Sequence, residues 1–131
     1  TNRREFMIHA GLGAGALMLA GCATQRGGER MYGLIGRMRA VPGQRDALIR
    51  ILVEGVAGMP GCLSYVVAQD PTDADALWVT EVWDSQDSHR ASLALPSVKD
   101  AITRGRPLIA GFDQRFETVP VGGQGLPLTG R

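Results

Sequence analysis

Two alternating stretches, Cys62 to Asp70 (CLSYVVAQD) and Ala76 to Asp84 (ALWVTEVWD), are separated only by PTDAD, and this juxtaposition constrains the fold more than any other feature of the chain. In the first, Leu63, Tyr65 and Val67 share a face. In the second, Leu77, Val79, Glu81 and Trp83 alternate with Trp78, Thr80 and Val82. Side-chain alternation of period 2 marks a half-buried strand. PTDAD has turn composition, so the two strands are expected to form an antiparallel hairpin.

The flanking segments supply partners for that hairpin. Met31 to Ala40 (MYGLIGRMRA) reads as a strand, with Tyr32, Leu34 and Met38 on one side and Ile35, Arg37 and Arg39 on the other. Val41, Pro42 and Gly43 break it. Gln44 to Val56 then sets Leu48, Ile51, Leu52 and Val56 in a single apolar stripe at helical spacing, ended by Gly58, Pro60 and Gly61. Asp84 or Ser85 can cap a following helix that carries His89 and Leu93 on one face. Pro96 suits the first turn of a continuing segment whose apolar side is Val98 and Ile102, and Pro107 limits it. Gly111 to Val119 (GFDQRFETV) reads as the last strand, with Phe112, Gln114 and Phe116 expected on one face.

The order β-α-β-β-α-β predicts an α+β, ferredoxin-like domain, an antiparallel sheet with helices on one face. One sheet face is then left uncovered. Two copies packing those faces together would make a dimeric α/β barrel.

Ahead of this domain, Arg3 and Arg4 precede the apolar run Met7 to Ala20, the charge-then-apolar order of a secretory signal. The run is shorter than the roughly 18 to 20 residues that span a bilayer, and Gly11, Gly13 and Gly15 weaken it as a helix. Paired arginines here resemble a twin-arginine export signal. Leu19-Ala20-Gly21-Cys22 resembles a lipobox, whose cysteine is diacylated and becomes the mature N-terminus. The alternative, an amphipathic first helix, lacks an apolar stripe. Residues 1–22 are therefore expected to be an export signal, 23–30 a tether, 31–119 the domain and 120–131 a Gly/Pro-rich flexible tail. A diacylated Cys22 would anchor the exported protein at a membrane surface.

Without Arg3, Arg4 and Glu5, the fourteen basic and thirteen acidic residues become twelve of each. A formally neutral domain gives no electrostatic reason to bind nucleic acid. The domain's only cysteine, Cys62, reads as a small buried hydrophobe, with no second thiol for a disulfide or metal cluster. About ninety residues make a small core, which favours a homodimer on size alone. No Gly-rich phosphate loop follows a strand, and no HxxxH or CxxC pair occurs in the sequence.

Several of these residues together resemble the antibiotic biosynthesis monooxygenase (quinol monooxygenase-like) family over roughly Met31 to Val119. They are the Pro60-Gly61-Cys62 after the first helix, Glu81 and Trp83 on the third strand, Ser85 at the next helix start, and Leu93, Pro96 and Val98. The resemblance implies oxidation of a small phenolic or quinol aromatic with O2 and no cofactor, neither metal nor flavin. Such chemistry asks for a pocket that desolvates an electron-rich ring and for a group that helps ionise its hydroxyl.

Glu81 and Trp83 share strand parity, and the resemblance turns that side toward a pocket beneath the helices. Trp83 can stack on the substrate and donate its indole N–H, or be a plain core residue. A carboxylate at Glu81 must find a partner or have its pKa raised; a structural ion pair is the alternative. His89 is a candidate base near pH 7, and Tyr65 a secondary pocket residue. Many relatives carry histidines at the positions of Ser92 and Ser97. Arg37 and Arg39 read as a solvated or interface face, or as holders of a substrate anion. The alternatives to an oxygenase are a non-catalytic ligand-binding or stress-related module, and a haem-binding relative if His89 faces a haem-sized cavity.

Overall fold

The computed structural model describes residues 30–127. The expected export signal with its Cys22, the tether up to Glu29, and the tail from Leu128 lie outside the described residues. Strand β1 (Tyr32–Ala40) is followed by α1 (Arg45–Gly55), β2 (Cys62–Gln69), β3 (Ala76–Trp83), α2 (Gln86–Ser92) and α3 (Pro96–Gly105). A short 3-10 turn (Arg106–Leu108) then leads into β4 (Ile109–Thr118). The sheet order is β2-β3-β1-β4 with every neighbouring pair antiparallel, the ferredoxin-like arrangement.

Register assigns side chains to faces, because paired residues in adjacent strands point the same way. On the helix side, one row runs Tyr65, Glu81, Leu34, Glu117 and the next runs Val67, Val79, Gly36, Arg115. On the other side a row runs Val66, Thr80, Ile35, Phe116. Val66 and Phe116 there are each about half exposed.

The last strand departs from its expected pattern. It begins at Ile109, two residues before the predicted start, and Phe112, Gln114 and Phe116 do not share a face. Arg37 pairs with Gln114 but Met38 pairs with Phe112, so Asp113 is an extra residue in a β-bulge. One inserted residue reverses the parity of everything beyond it. Phe112 therefore packs inward, Gln114 and Phe116 face outward, and Arg115 and Glu117 turn toward the helices.

Local chemistry fixes the connections. Asp70 Oδ1 accepts hydrogen bonds from the Thr72 and Asp73 amides at 2.8 and 3.1 Å, closing the PTDAD turn. Arg45, at the start of α1, donates to the carbonyls of Asp70, Asp73 and Ala76 and ties that turn to the helix. Ser85 caps α2, its Oγ accepting from the Ser88 amide at 3.1 Å, and Pro96 occupies the first turn of α3. Arg37 and Arg39 turn away from the helices and engage Asp70, Asp73 and Asp113 on the outer sheet face. That commitment removes them as holders of an anion in a pocket beneath the helices. Residues 119–127 contain turns and no strand or helix.

The core is divided. One apolar cluster gathers Tyr32, Leu34, Met59, Trp83 and Val98; the other gathers Ala40, Leu48, Leu77, Val79 and Ile109. Tyr65 packs against both.

Candidate active site

Between the sheet and the helices, where the two clusters fail to meet, lies a cavity of about 130 Å³. Leu34, Leu52, Met59, Val79, Val98 and Ile102 make its walls largely apolar. Glu81, His89, Ser92 and Arg115 bring polar atoms to it.

Alternation on β3 places Glu81 and Trp83 side by side on the helix face, and Trp83 Nε1 donates to Glu81 Oε1 at 2.9 Å. Trp83 is almost fully buried. The capped start of α2 swings His89 inward, to 7 % exposure. Its ring stands edge-on to Trp83 at a centroid distance of 5.4 Å and tilted against Tyr32 at 5.3 Å. His89 Nε2 lies 3.9 Å from Glu81 Oε1, too far for a hydrogen bond. A single oxygen atom about 2.8 Å from each would see them at an angle of about 90°, a geometry open to a hydroxyl group that donates to one and accepts from the other.

Burial sets the protonation states. It raises the Glu81 carboxyl to about 6, against the opposing pull of the Trp83 hydrogen bond and the Arg115 charge. It depresses His89 to about 4, and the Arg115 charge acts in the same direction. At neutral pH the close approach is therefore between a carboxylate and a neutral imidazole, not an ion pair. His89 is a weaker base than its ordinary pKa suggests, and Glu81 stands nearer the working range. Tyr65, opposite Glu81 on β2, has its hydroxyl pKa raised by burial first and by the Glu81 charge second. Cys62 is a free, half-buried thiol whose pKa burial also pushes up, consistent with an unreactive packing role.

The sequence-derived residues Tyr65, Glu81, Trp83 and His89 thus meet in one cavity. Of the two positions where many relatives carry histidine, Ser92 is buried in the cavity wall, its Oγ donating to the His89 carbonyl at 2.6 Å, while Ser97 is exposed. Sequence reasoning missed Tyr32, Arg115 and Glu117. The Tyr32 hydroxyl donates to Glu117 Oε2 at 2.7 Å, and Arg115 Nη2 approaches the same oxygen at 3.3 Å. Burial and the Glu117 contact raise Tyr32 to about 12. The bulge at Asp113 hid this group, since uninterrupted alternation with Phe112 and Phe116 turns Arg115 and Glu117 outward.

The sequence pattern that defines the family described as Antibiotic biosynthesis monooxygenase matches residues 31–104. The chain belongs to this family. Among solved structures, an antibiotic biosynthesis monooxygenase family protein from Chloroflexus aurantiacus, its activity provisionally assigned, is 74 % identical, with a TM-score of 0.73 over 74 % of this chain and 99 % of its own. A Pseudomonas aeruginosa protein shares 24 % identity at a TM-score of 0.62, covering 71 % of this chain and 96 % of its own. A Caulobacter crescentus protein, provisionally assigned to the same activity, shares 19 % identity at 0.61, covering 73 % and 92 %. At those identities the last two carry the fold alone. No curated protein matches the chain.

Proposed function

We propose that this domain is a cofactor-independent monooxygenase that oxidises a small phenol or quinol with O2. One observation carries the reading: Glu81, His89 and Trp83 converge at a largely apolar cavity, a place to bind an aromatic ring and take a proton from its hydroxyl. Glu81 accepts that proton, and neutral His89 donates a hydrogen bond to the resulting oxyanion. Trp83 holds the carboxylate and offers its ring to the substrate. The ionised ring then supplies every electron that O2 accepts. For a phenol, one oxygen atom enters the ring as the second carbonyl of a quinone, and the other leaves as water with the hydroxyl proton and the displaced ring proton. No external reductant is needed.

The test is oxygen consumption by the metal-free form beginning at Ala23, against a panel of phenols and quinols. Uptake is expected to fall at least a hundredfold in His89→Ala, as for loss of a group acting on the reacting atoms. An absence of uptake across the panel overturns the reading. It would favour the second one, a ligand-binding module, which draws support from Ser92 in the cavity wall where many relatives carry histidine. The haem reading is less favoured: His89 faces the cavity, but its volume of about 130 Å³ matches a single ring better than a macrocycle.

The address belongs to the same proposal. Export through the Arg3-Arg4 signal and anchoring through Cys22 would hold the domain at a membrane surface, close to apolar quinols. Cys22→Ser is expected to move the protein from the membrane to the soluble fraction. Unchanged fractionation refutes the anchor.

A further inference from the structure

We infer that Gly36 sets the size of the ligand, and that the cavity takes a single-ring phenol or quinol lying over Gly36 with its hydroxyl between Glu81 and His89. The inference rests on the phenol-oxidising reading above and narrows it to one class of substrate.

Every other helix-facing position of β1 carries a side chain: Tyr32, Leu34, Met38 and Ala40. Gly36, in the middle of that row, leaves a gap between Val79 on one side and Arg115 on the other. A Cβ built on Gly36 meets a single atom within 4 Å, the Gln114 carbonyl oxygen at 3.7 Å. Gly36 is also absent from the glycines with positive φ. Its backbone is therefore one that any L-residue adopts, and glycine is among the poorer residues for a strand interior. Neither backbone geometry nor crowding calls for a glycine here. What its missing side chain provides is space.

That space is the cavity. Its walls come from both apolar clusters, and a side chain at position 36 would point into the interval between them. The volume of about 130 Å³ resembles the roughly 150 Å³ of an apolar cavity that holds benzene, which favours one ring over two fused ones. Glu81 pairs with Leu34, so it stands diagonal to Gly36, on the order of 7 Å away. A ring over Gly36 therefore brings its hydroxyl to the Glu81–His89 gap, with Arg115 bordering it on the β4 side.

The experiment compares anaerobic binding of hydroquinone and of 1,4-dihydroxynaphthalene, read by tryptophan fluorescence and thermal shift, with oxygen uptake measured in parallel. The wild type is expected to bind hydroquinone at least tenfold more tightly than the two-ring compound. Gly36→Val is expected to keep or raise the Tm while weakening hydroquinone binding at least tenfold. Should the valine variant fail to fold, Gly36→Ala carries the same test with one methyl group. Equal or tighter binding of the two-ring compound, or wild-type affinity in the variant, overturns the inference. Hydroquinone binding that the variant blocks, with no oxygen uptake, upholds the site and overturns the oxygenase reading. Oxygen uptake with a two-ring preference does the reverse.

Discussion

Glu81 and His89 answer the same burial in opposite ways, and the difference is measurable as stability. Glu81 titrates at about 6 in the fold against 4.5 in the unfolded chain, so the native state binds more protons across that interval. Stability therefore falls as pH rises through it, and the loss persists at neutral pH. His89, moved from 6.5 down to about 4, does the contrary: the unfolded chain binds more protons between those values, and stability falls as pH drops through them. Glu81→Gln keeps an acceptor for the Trp83 indole and removes the buried charge. It is expected to raise stability at pH 8 by on the order of 1 kcal/mol, and to leave a steeper loss on acidification because only His89 then titrates. Urea midpoints between pH 4 and 8 check both; an unchanged or lower midpoint at pH 8 refutes the charge cost. In the proposed reaction oxygen uptake by the wild type should show an acid limb centred near pH 6, and the same substitution, which removes the base, should abolish uptake at every pH.

At the scale of elements, the connection between α1 and β2 determines whether His89 reaches the cavity. Gly61 has φ of 83°, and a Cβ there would lie 2.5 Å from both Cβ and Oγ of Ser88, one residue before His89. Its carbonyl also accepts from the Asp84 amide at 2.9 Å, so the start of β2 is seated on the approach to α2. Gly61→Ala is expected to cost about 2–3 kcal/mol, from left-handed backbone and collision together, and to disturb His89. Denaturant unfolding reads the loss; a change under 0.5 kcal/mol, on the order of an ordinary surface substitution, contradicts the account. How much of the site was legible follows from similar local details. Strict alternation on β3 made Glu81 and Trp83 readable as neighbours on one face, and Ser85 announced the helix that carries His89. Arg115 and Glu117 were not readable, because a bulge is a property of two paired strands and Asp113 bears no mark of it. Nor was Gly36, since a glycine in a strand looks the same over a void as over a packed neighbour.

Among the described residues, one sheet face packs against the helices and no helix or strand covers the other. Val66, Thr80, Ile35 and Phe116 cross that outer face in one row, beside the charged group of Arg37, Arg39, Asp70, Asp73 and Asp113. Val66 and Phe116 expose apolar surface there, and we propose that a second copy of the chain covers it, the homodimer expected from the sequence. Sedimentation of the form beginning at Ala23 is expected to give twice the chain mass, and Phe116→Asp to give the single chain; a wild-type monomer at micromolar concentration refutes the homodimer. The fold also carries a history in its topology. β2 and β3 close over a few residues, whereas the Tyr32 hydroxyl and the Glu117 carboxylate that receives it are 85 residues apart in the chain. Loop-closure entropy grows with that separation, and distant strand pairings are the slow ones. Contact order therefore predicts that the hairpin bearing Tyr65, Glu81 and Trp83 forms before β4 docks. On that order a chain caught before β4 docks already has its indole–carboxylate pair but not Arg115, so the cavity's negative charge precedes the positive one that β4 brings.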